Sequence, residues 1–115
     1  MDPTLTFKFG IDTVLSCERS LGLLKRSRFA LVAHPASVTT SLVHTLDALA
    51  TVGALPHCVF GPQHGARGDK QDNMIETEDF VDPLYNIPVY SLYGAHRRPT
   101  EAMLRDVDLI VFDLQ

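Results

Sequence analysis

Residues 28–60 have the sequence RFALVAHPASVTTSLVHTLDALATVGALPHCVF, and this stretch decides the fold. Its two apolar runs, 28–33 and 55–60, have the length of buried strands, and the first stops at His34 and Pro35. Between them, apolar residues recur at helical spacing behind three candidate N-cap residues. The N-cap candidates are Thr39, Thr40 and Ser41, and the apolar helix positions are Leu42, Val43, Leu46, Leu49 and Ala50, with Gly53 as the stop. A strand, a helix and a second strand in this order predict a parallel sheet.

The remaining patterns add further elements of both kinds on either side of this unit. The predicted elements are a short helix from Gly10 to about Gly22, a strand at 87–91, a helix whose first turn includes Pro99, and a buried strand at 108–114. The sequence therefore predicts an α/β fold with an open, mainly parallel sheet of about four strands and flanking helices.

Composition excludes several classes of protein. The chain has 115 residues, a net charge of −4 and 45% hydrophobic residues, which predicts one soluble globular unit with a modest core. Its basic residues are scattered, which argues against nucleic-acid binding. No apolar run approaches the roughly 20 residues that cross a membrane, and the N-terminus lacks the apolar core of a signal peptide. We therefore expect a cytoplasmic protein in which Cys17, predicted in a helix, and Cys58, predicted in a strand, are reduced structural residues.

The chain ends abruptly on the last predicted strand. Residues 108–114 form an apolar run that ends in polar residues, and only Gln115 follows. Natural domains rarely stop at this point, so we expect a fragment of a longer protein, with the sheet incomplete at its C-terminus.

The most unusual polar segment follows the second predicted strand. Residues 60–69 read FGPQHGARGD and begin an acidic stretch that extends to about Asn86. Ligands of open α/β sheets bind beyond the carboxyl ends of the strands, and loops of this length are usually functional or disordered. The mixture of residue types favours an ordered loop and a binding site.

Polar clusters follow all four predicted strands and should share one edge of a parallel sheet. They are His34-Pro35-Ala36-Ser37, Gln63-His64-Gly65, Ser91-Leu92-Tyr93-Gly94 and Asp113-Leu114-Gln115. His34 also fits a purely structural role, and we expect His44 and His57 to be surface or packing residues. Each cluster alone is a weak signal, and the expectation of a binding site depends on all four lying at the same edge.

Several chemistries remain open from the residues alone. The residue types of His34, His64, Asp69 and Asp72 suit a metal, but no paired ligand motif places two of them on one element. The chain contains no phosphate-binding glycine motif and no G-x-S-x-G motif, so we expect no nucleotide cofactor and no serine triad. Glycoside hydrolysis needs two carboxyl groups, for which the candidates are Glu76, Glu78, Asp79 and Asp113; a solvated acidic loop is the plainer interpretation of the first three.

Four ordered motifs resemble those of a known family. The motifs are Phe60-Gly61-Pro62-Gln63-His64-Gly65-Ala66-Arg67-Gly68-Asp69, Ile87-Pro88-Val89-Tyr90-Ser91-Leu92-Tyr93-Gly94, Arg98-Pro99-Thr100 with Met103-Leu104, and Val107-Asp108-Leu109-Ile110-Val111-Phe112-Asp113-Leu114-Gln115. Together with Gly10-Ile11-Asp12 and the His34 cluster, they are similar to the exo-acting β-N-acetylmuramidases, bacterial glycosidases that remove terminal N-acetylmuramic acid from peptidoglycan fragments. The resemblance implies a Rossmann-like N-terminal domain without nucleotide, a smaller C-terminal domain and a cleft between them. Residues 1–115 would be the N-terminal part of that Rossmann-like domain.

The resemblance also implies roles for individual residues. Gln63 and His64 would lie at the sugar, and Arg67 and Asp69 would fix the loop or bind the sugar, Arg67 by pairing with the lactyl carboxylate. Further predicted substrate contacts are His34, Asn73, Tyr93, Asp113 and Gln115.

One departure from the family pattern affects the chemistry. The family loop commonly has glutamate where this chain has Gln63, and a carboxamide cannot protonate a glycosidic oxygen. Glu76 is the best replacement acid. A non-catalytic sugar-binding branch and a metal-dependent hydrolase remain alternatives.

We expect the 115 residues alone to be inactive and to self-associate through an exposed part of the sheet.

Overall fold

A computed structural model describes residues 7–61, 79–92 and 98–114 of the chain. In chain order the elements are α1 (Gly10–Leu15), α2 (Glu18–Arg26), β1 (Phe29–Ala33), α3 (Thr45–Thr51), β2 (Cys58–Gly61), β3 (Phe80–Val81), β4 (Pro88–Ser91), α4 (Glu101–Leu104) and β5 (Leu109–Asp113). The strands form one sheet in the order β3-β4-β2-β1-β5. The prediction of an α/β fold with a mainly parallel sheet is confirmed.

The strand order creates a topological switch point beside β1. From β1 the chain continues outward through β2 and β4 on one side, whereas β5 pairs with β1 on the other side. All three of these pairings are parallel, and in the β1–β5 pair Ala33 lies opposite Asp113. In sheets of this kind the crevice beyond the carboxyl ends of such strands is the usual ligand site.

Both faces of β1 are buried, because the strand lies inside the sheet and carries apolar residues throughout. Phe29, Leu31 and Ala33 pack on one face with residues of α1, α2 and α3. Ala30 and Val32 pack on the opposite face, where residues of α4 also lie. This continuous apolar pattern is typical of parallel strands covered on both sides, which is why the sequence predicted the strand correctly.

The helix between β1 and β2 starts later than its apolar pattern predicts. It begins at Thr45 with His44 as N-cap, so Leu42 and Val43 lie before it. Leu42 has φ 63° and is 81% exposed. The reason is local: the hydroxyl of Thr39 accepts hydrogen bonds from the amides of Ser41 and Val43, and such bonds compete with helix formation.

The N-terminal helical pattern also divides differently from the prediction. Instead of one helix broken near Gly22, the chain forms α1 and α2, and Gly22 lies inside α2. The break is at Ser16, whose hydroxyl donates to the carbonyls of Asp12 and Thr13 and so ends α1. Cys17, predicted within a helix, is instead the N-cap residue of α2, whereas Cys58 lies in β2 as predicted.

The sheet has five strands rather than about four, because β3 was missed. This strand has only two residues and pairs antiparallel with β4. Asp82 closes the following turn, since its buried carboxylate accepts from the amides of Leu84 at 2.9 Å and Tyr85 at 3.1 Å. A strand of two residues is too short to show the alternation of apolar and polar residues from which strands are predicted. The last helix differs slightly too: its N-cap is Thr100, so Pro99 precedes the first turn.

Strand β5 was predicted to be buried, and this prediction is wrong for one face. Ile110, Phe112 and Leu114 are 41%, 69% and 54% exposed. On the side of β5 away from β1, no strand pairs with it among the described residues.

None of the helices among the described residues has the length and apolar character of a membrane-spanning helix.

Candidate functional site

The carboxyl ends of β1, β2, β4 and β5 lie at one edge of the sheet, as the sequence predicted. Gly61 at the end of β2 pairs with Ser91 at the end of β4, and the Gly61 carbonyl accepts from the amide of Leu92 at 2.9 Å. The chain is described again at Asp79, whose carboxylate accepts from the Ser91 amide at 2.6 Å. Gly61 and Asp79 are therefore both bonded to β4 and the residue after it at this edge.

The loop after β1 is held by its own side chains. The hydroxyl of Ser37 accepts from the His34 amide at 3.0 Å, and the Ser37 carbonyl accepts from the Thr45 amide at 2.8 Å. The ring of His34 accepts from the Ala36 amide through Nδ1 at 3.0 Å. The ring of His44 accepts from the Leu46 amide through Nδ1 at 3.1 Å, which leaves Nε2 to donate to the His34 carbonyl at 3.1 Å. His44 was predicted to be a surface or packing residue. It instead caps the start of α3 through Nδ1 and bonds the loop after β1 through Nε2.

Asp12 connects this loop to α1. Its carboxylate accepts from the Phe9 amide at 2.9 Å, which completes a capping arrangement at the start of α1. The same carboxylate accepts from the amide and the hydroxyl of Thr40, at 3.2 Å in each case. One side chain thus fixes both a helix start and the loop that contains Ser37.

At the switch point, the loop and helix that follow β1 contact the end of β5 directly. The hydroxyl of Ser37 donates to the Asp113 carbonyl, and the hydroxyl of Thr45 donates to Oδ2 of the Asp113 carboxylate. Ser37 and Thr45 are each 0% exposed, whereas Asp113 is half-buried. A half-buried carboxylate with one oxygen fixed in this way accepts hydrogen bonds from a ligand in a defined direction.

A cleft of about 160 Å³ adjoins Asp113. Its walls are mostly apolar, and its lining includes Ile11, Val14, Leu24, Leu49, Thr45 and Asp113. Pockets that enclose a whole small molecule usually measure about 300–1,000 Å³, so this cleft has room for a small apolar substituent and not for a whole ligand. The arrangement suits a ligand that combines a small apolar group with a hydroxyl or amide donor.

Other reactive groups of the described residues do not contribute a nucleophile or a metal centre here. Burial raises the pKa of Cys58 to about 11, which keeps this residue a neutral thiol. Burial also raises the pKa of Tyr90 in the neighbouring strand β4. Across 7–61, 79–92 and 98–114, no three His, Cys, Asp or Glu side chains are grouped closely enough to hold a metal ion.

Most of the predicted site residues lie outside the described part of the chain. These are Gln63, His64, Arg67, Asp69, Asn73, Glu76, Tyr93 and Gln115, and residues 62–78 of the loop that was predicted to be ordered lie outside it as well. Of the predicted contacts, His34 and Asp113 are described, and both lie at the carboxyl edge. Thr45 was missed as a site residue because its pattern indicated only a helix position, and its pairing with Asp113 depends on the tertiary fold.

Comparison with known proteins relates the chain to a family of glycosidase domains. The sequence model of the N-terminal domain of the exo-β-N-acetylmuramidase NamZ matches residues 29–115. The peptidoglycan β-N-acetylmuramidase NamZ of Bacillus subtilis strain 168 is 41% identical over 107 residues, which are 92% of this chain and 25% of that protein.

Two solved structures of DUF1343 family proteins from Bacteroides fragilis are similar to the chain in fold. The first has a TM-score of 0.75 and 35% identity, and it covers 94% of this chain and 26% of the other. The second has a TM-score of 0.61 and 26% identity, and it covers 82% of this chain and 22% of the other. The chain thus spans about a quarter of the length of the relatives it matches.

Proposed function

The chain belongs to the family of exo-β-N-acetylmuramidase NamZ N-terminal domains, and on this premise we propose that it forms the N-terminal part of a longer glycoside hydrolase. The substrate class is peptidoglycan fragments that end in N-acetylmuramic acid. The observation that supports this proposal most strongly is the 41% identity to a peptidoglycan β-N-acetylmuramidase over 92% of the chain.

The sugar would bind at the carboxyl edge of the sheet, beside the switch point. Asp113 supports this location, because its carboxylate is half-buried, is held by Thr45 and lies against the apolar cleft. Carboxylates accept hydrogen bonds from sugar hydroxyls and from the acetamido N–H.

The source of the proton is the main chemical question of this proposal. Gln63 can hydrogen-bond the glycosidic oxygen but cannot protonate it, and general acid catalysis is worth about 10²–10⁴ in rate. We assign the acid role to Glu76, with His64 beside Gln63 at the sugar and Arg67 paired with the lactyl carboxylate. Asp69, Asn73, Tyr93, Gln115 and His34 complete the proposed contacts.

The second candidate function is a sugar-binding protein without hydrolysis, and glutamine at position 63 favours it. Such a protein would keep the family fold and the Asp113 cleft but would release no sugar.

The test uses the full-length protein that contains this chain, with a chromogenic β-N-acetylmuramide as substrate. Our proposal predicts release of the chromophore by the wild-type protein and a loss of about 10²–10⁴ in Glu76→Gln. Glu101→Gln is the control, because it removes an exposed carboxylate of α4 to which we assign no role. A wild-type rate in Glu76→Gln would remove Glu76 from the mechanism.

Gln63→Glu distinguishes the two functions. A large gain in hydrolysis from an inactive wild-type protein would identify a sugar-binding branch that has lost its acid. A loss from an active wild-type protein would show that glutamine is the working residue. Stoichiometric metal in the purified protein would instead revive the metal-dependent alternative.

For the 115 residues alone, we propose no hydrolysis and self-association through the exposed face of β5. The supporting observation is the row of exposed apolar side chains, Ile110, Phe112 and Leu114, on a strand with one unpaired side among the described residues.

A further inference from the structure

We propose that Thr45 is a positioning residue that orients the Asp113 carboxylate toward the substrate, and that Ser37 fixes the backbone beneath it. This inference rests on the proposed function, since it assigns Asp113 a contact with the sugar.

The geometry brings three parts of the chain to one point. Thr45 is the first residue of α3, Ser37 lies in the loop after β1, and Asp113 is the last residue of β5. Thr45 donates to the side chain of Asp113 and Ser37 donates to its backbone carbonyl. The two hydroxyl groups therefore hold Asp113 at both its backbone carbonyl and its side-chain carboxylate.

The position of these hydroxyls is itself firmly set. Both residues are 0% exposed, and the Thr45 amide donates to the Ser37 carbonyl at 2.8 Å. Ser37 is further held by the His34 amide, which donates to its hydroxyl at 3.0 Å. Catalytic and binding groups keep a productive geometry when a second layer of bonded residues locks them in this way.

The bond of Thr45 joins two distant parts of the chain. Thr45 is the first residue of α3, so no helical carbonyl lies three or four residues before it to accept its hydroxyl. The hydroxyl donates to a carboxylate 68 positions away, at the edge where ligands of this fold bind.

The consequence is a carboxylate with restricted rotation. One oxygen of Asp113 is occupied by Thr45, so the direction in which the group meets a sugar hydroxyl or acetamido N–H is fixed before the sugar arrives. A valine at position 45 has nearly the shape of threonine but cannot donate, so Oδ2 of Asp113 would lose the donor that orients it toward the substrate.

The experiment is a double-mutant cycle in the full-length protein, with kcat and KM measured on the chromogenic β-N-acetylmuramide. We expect Thr45→Val to lower kcat/KM by about 10–100-fold, as misplacement of a contact group does. Thr45→Ser, which keeps the hydroxyl, should stay within about threefold of wild type. In an Asp113→Ala background, Thr45→Val should add less than about a twofold change, because the group it positions is gone.

The cycle separates positioning from a purely structural role. If Thr45→Val lowers kcat/KM by the same factor with and without Asp113, Thr45 acts through the fold and the inference is wrong. Wild-type kinetics in Thr45→Val would overturn it as well. Should Thr45→Val fail to fold, Thr45→Ala replaces it in the same cycle, with thermal melting as the check on folding.

Failure of the proposed function is distinguishable from failure of this inference. If the wild-type protein binds N-acetylmuramic acid without hydrolysing the substrate, the same four variants are compared by the Kd for that sugar in calorimetry. If it neither hydrolyses the substrate nor binds the sugar, the proposed function fails, and the role of Thr45 is rejected with it. An active wild type with an additive cycle rejects only the role of Thr45.

Discussion

Removal of the Asp12 carboxylate should loosen the loop that supports Asp113 while leaving the sheet intact. In Asp12→Ala, the Phe9 amide and both donors of Thr40 lose their acceptor. Loss of a cap costs about 0.5–2 kcal/mol. The Thr40 bonds are exposed and 3.2 Å long, so we assign them about 0.5–1 kcal/mol together. The opening free energy of the loop should therefore fall by about 0.5–1 kcal/mol, and the first turn of α1 should be destabilised by about 0.5–2 kcal/mol.

Hydrogen–deuterium exchange followed by mass spectrometry measures this change locally. A loss of about 0.5–1 kcal/mol raises the exchange rate of protected loop amides about 2- to 5-fold. The effect should appear in peptides covering 37–44, where the amides of Thr39 and Leu42 are bonded to carbonyls of the loop itself, and in peptides covering α1, which loses its cap. Exchange in peptides from β2 should not change.

Two further variants make the result specific. Asp12→Asn keeps one acceptor oxygen and should give an intermediate effect. Glu101→Ala removes an exposed carboxylate from α4 and should leave loop exchange unchanged. Unchanged exchange of 37–44 in Asp12→Ala would refute the argument that this carboxylate holds the loop.

Three other predictions concern the described residues. Native protein treated with a thiol reagent at pH 8 should be labelled at Cys17, whose pKa a hydrogen bond to Ser20 lowers, long before Cys58, whose pKa is about 11; equal labelling rates would contradict the burial of Cys58. Because folding raises the pKa of Cys58 from 9.0 to about 11, its contribution to stability is complete below about pH 9 and is lost as the pH rises through 11, which denaturant titrations at pH 8 and 10.5 would detect. Phe112→Lys should shift the 115-residue chain toward monomer in analytical ultracentrifugation, whereas an unchanged distribution would place self-association elsewhere.

The elements that were predicted correctly from the sequence are those whose apolar residues are buried along their whole length. β1 and β2 are continuous apolar runs in the middle of the sheet, so their residue types alone identify them. The same reasoning placed the carboxyl ends of four strands at one edge, because parallel strands that follow one another by crossovers end on the same side.

Other elements depend on interactions that no residue pattern displays. The helix α3 begins at Thr45 and not near Leu42, as predicted, because the Thr39 hydroxyl accepts hydrogen bonds from nearby amides. The exposed face of β5 could not be distinguished from a buried one, since exposure depends on what packs against it. The Thr45–Asp113 bond joins residues 68 positions apart, and only the folded sheet brings them together.

The most direct test of a sugar site at the switch point is a crystal structure of the full-length protein with N-acetylmuramic acid bound. We predict that the sugar lies beyond the carboxyl ends of β1, β2 and β5, with a hydroxyl or the acetamido N–H within hydrogen-bond distance of the Asp113 carboxylate. A sugar bound at any other edge or face of the sheet, with Asp113 out of contact, would contradict the account.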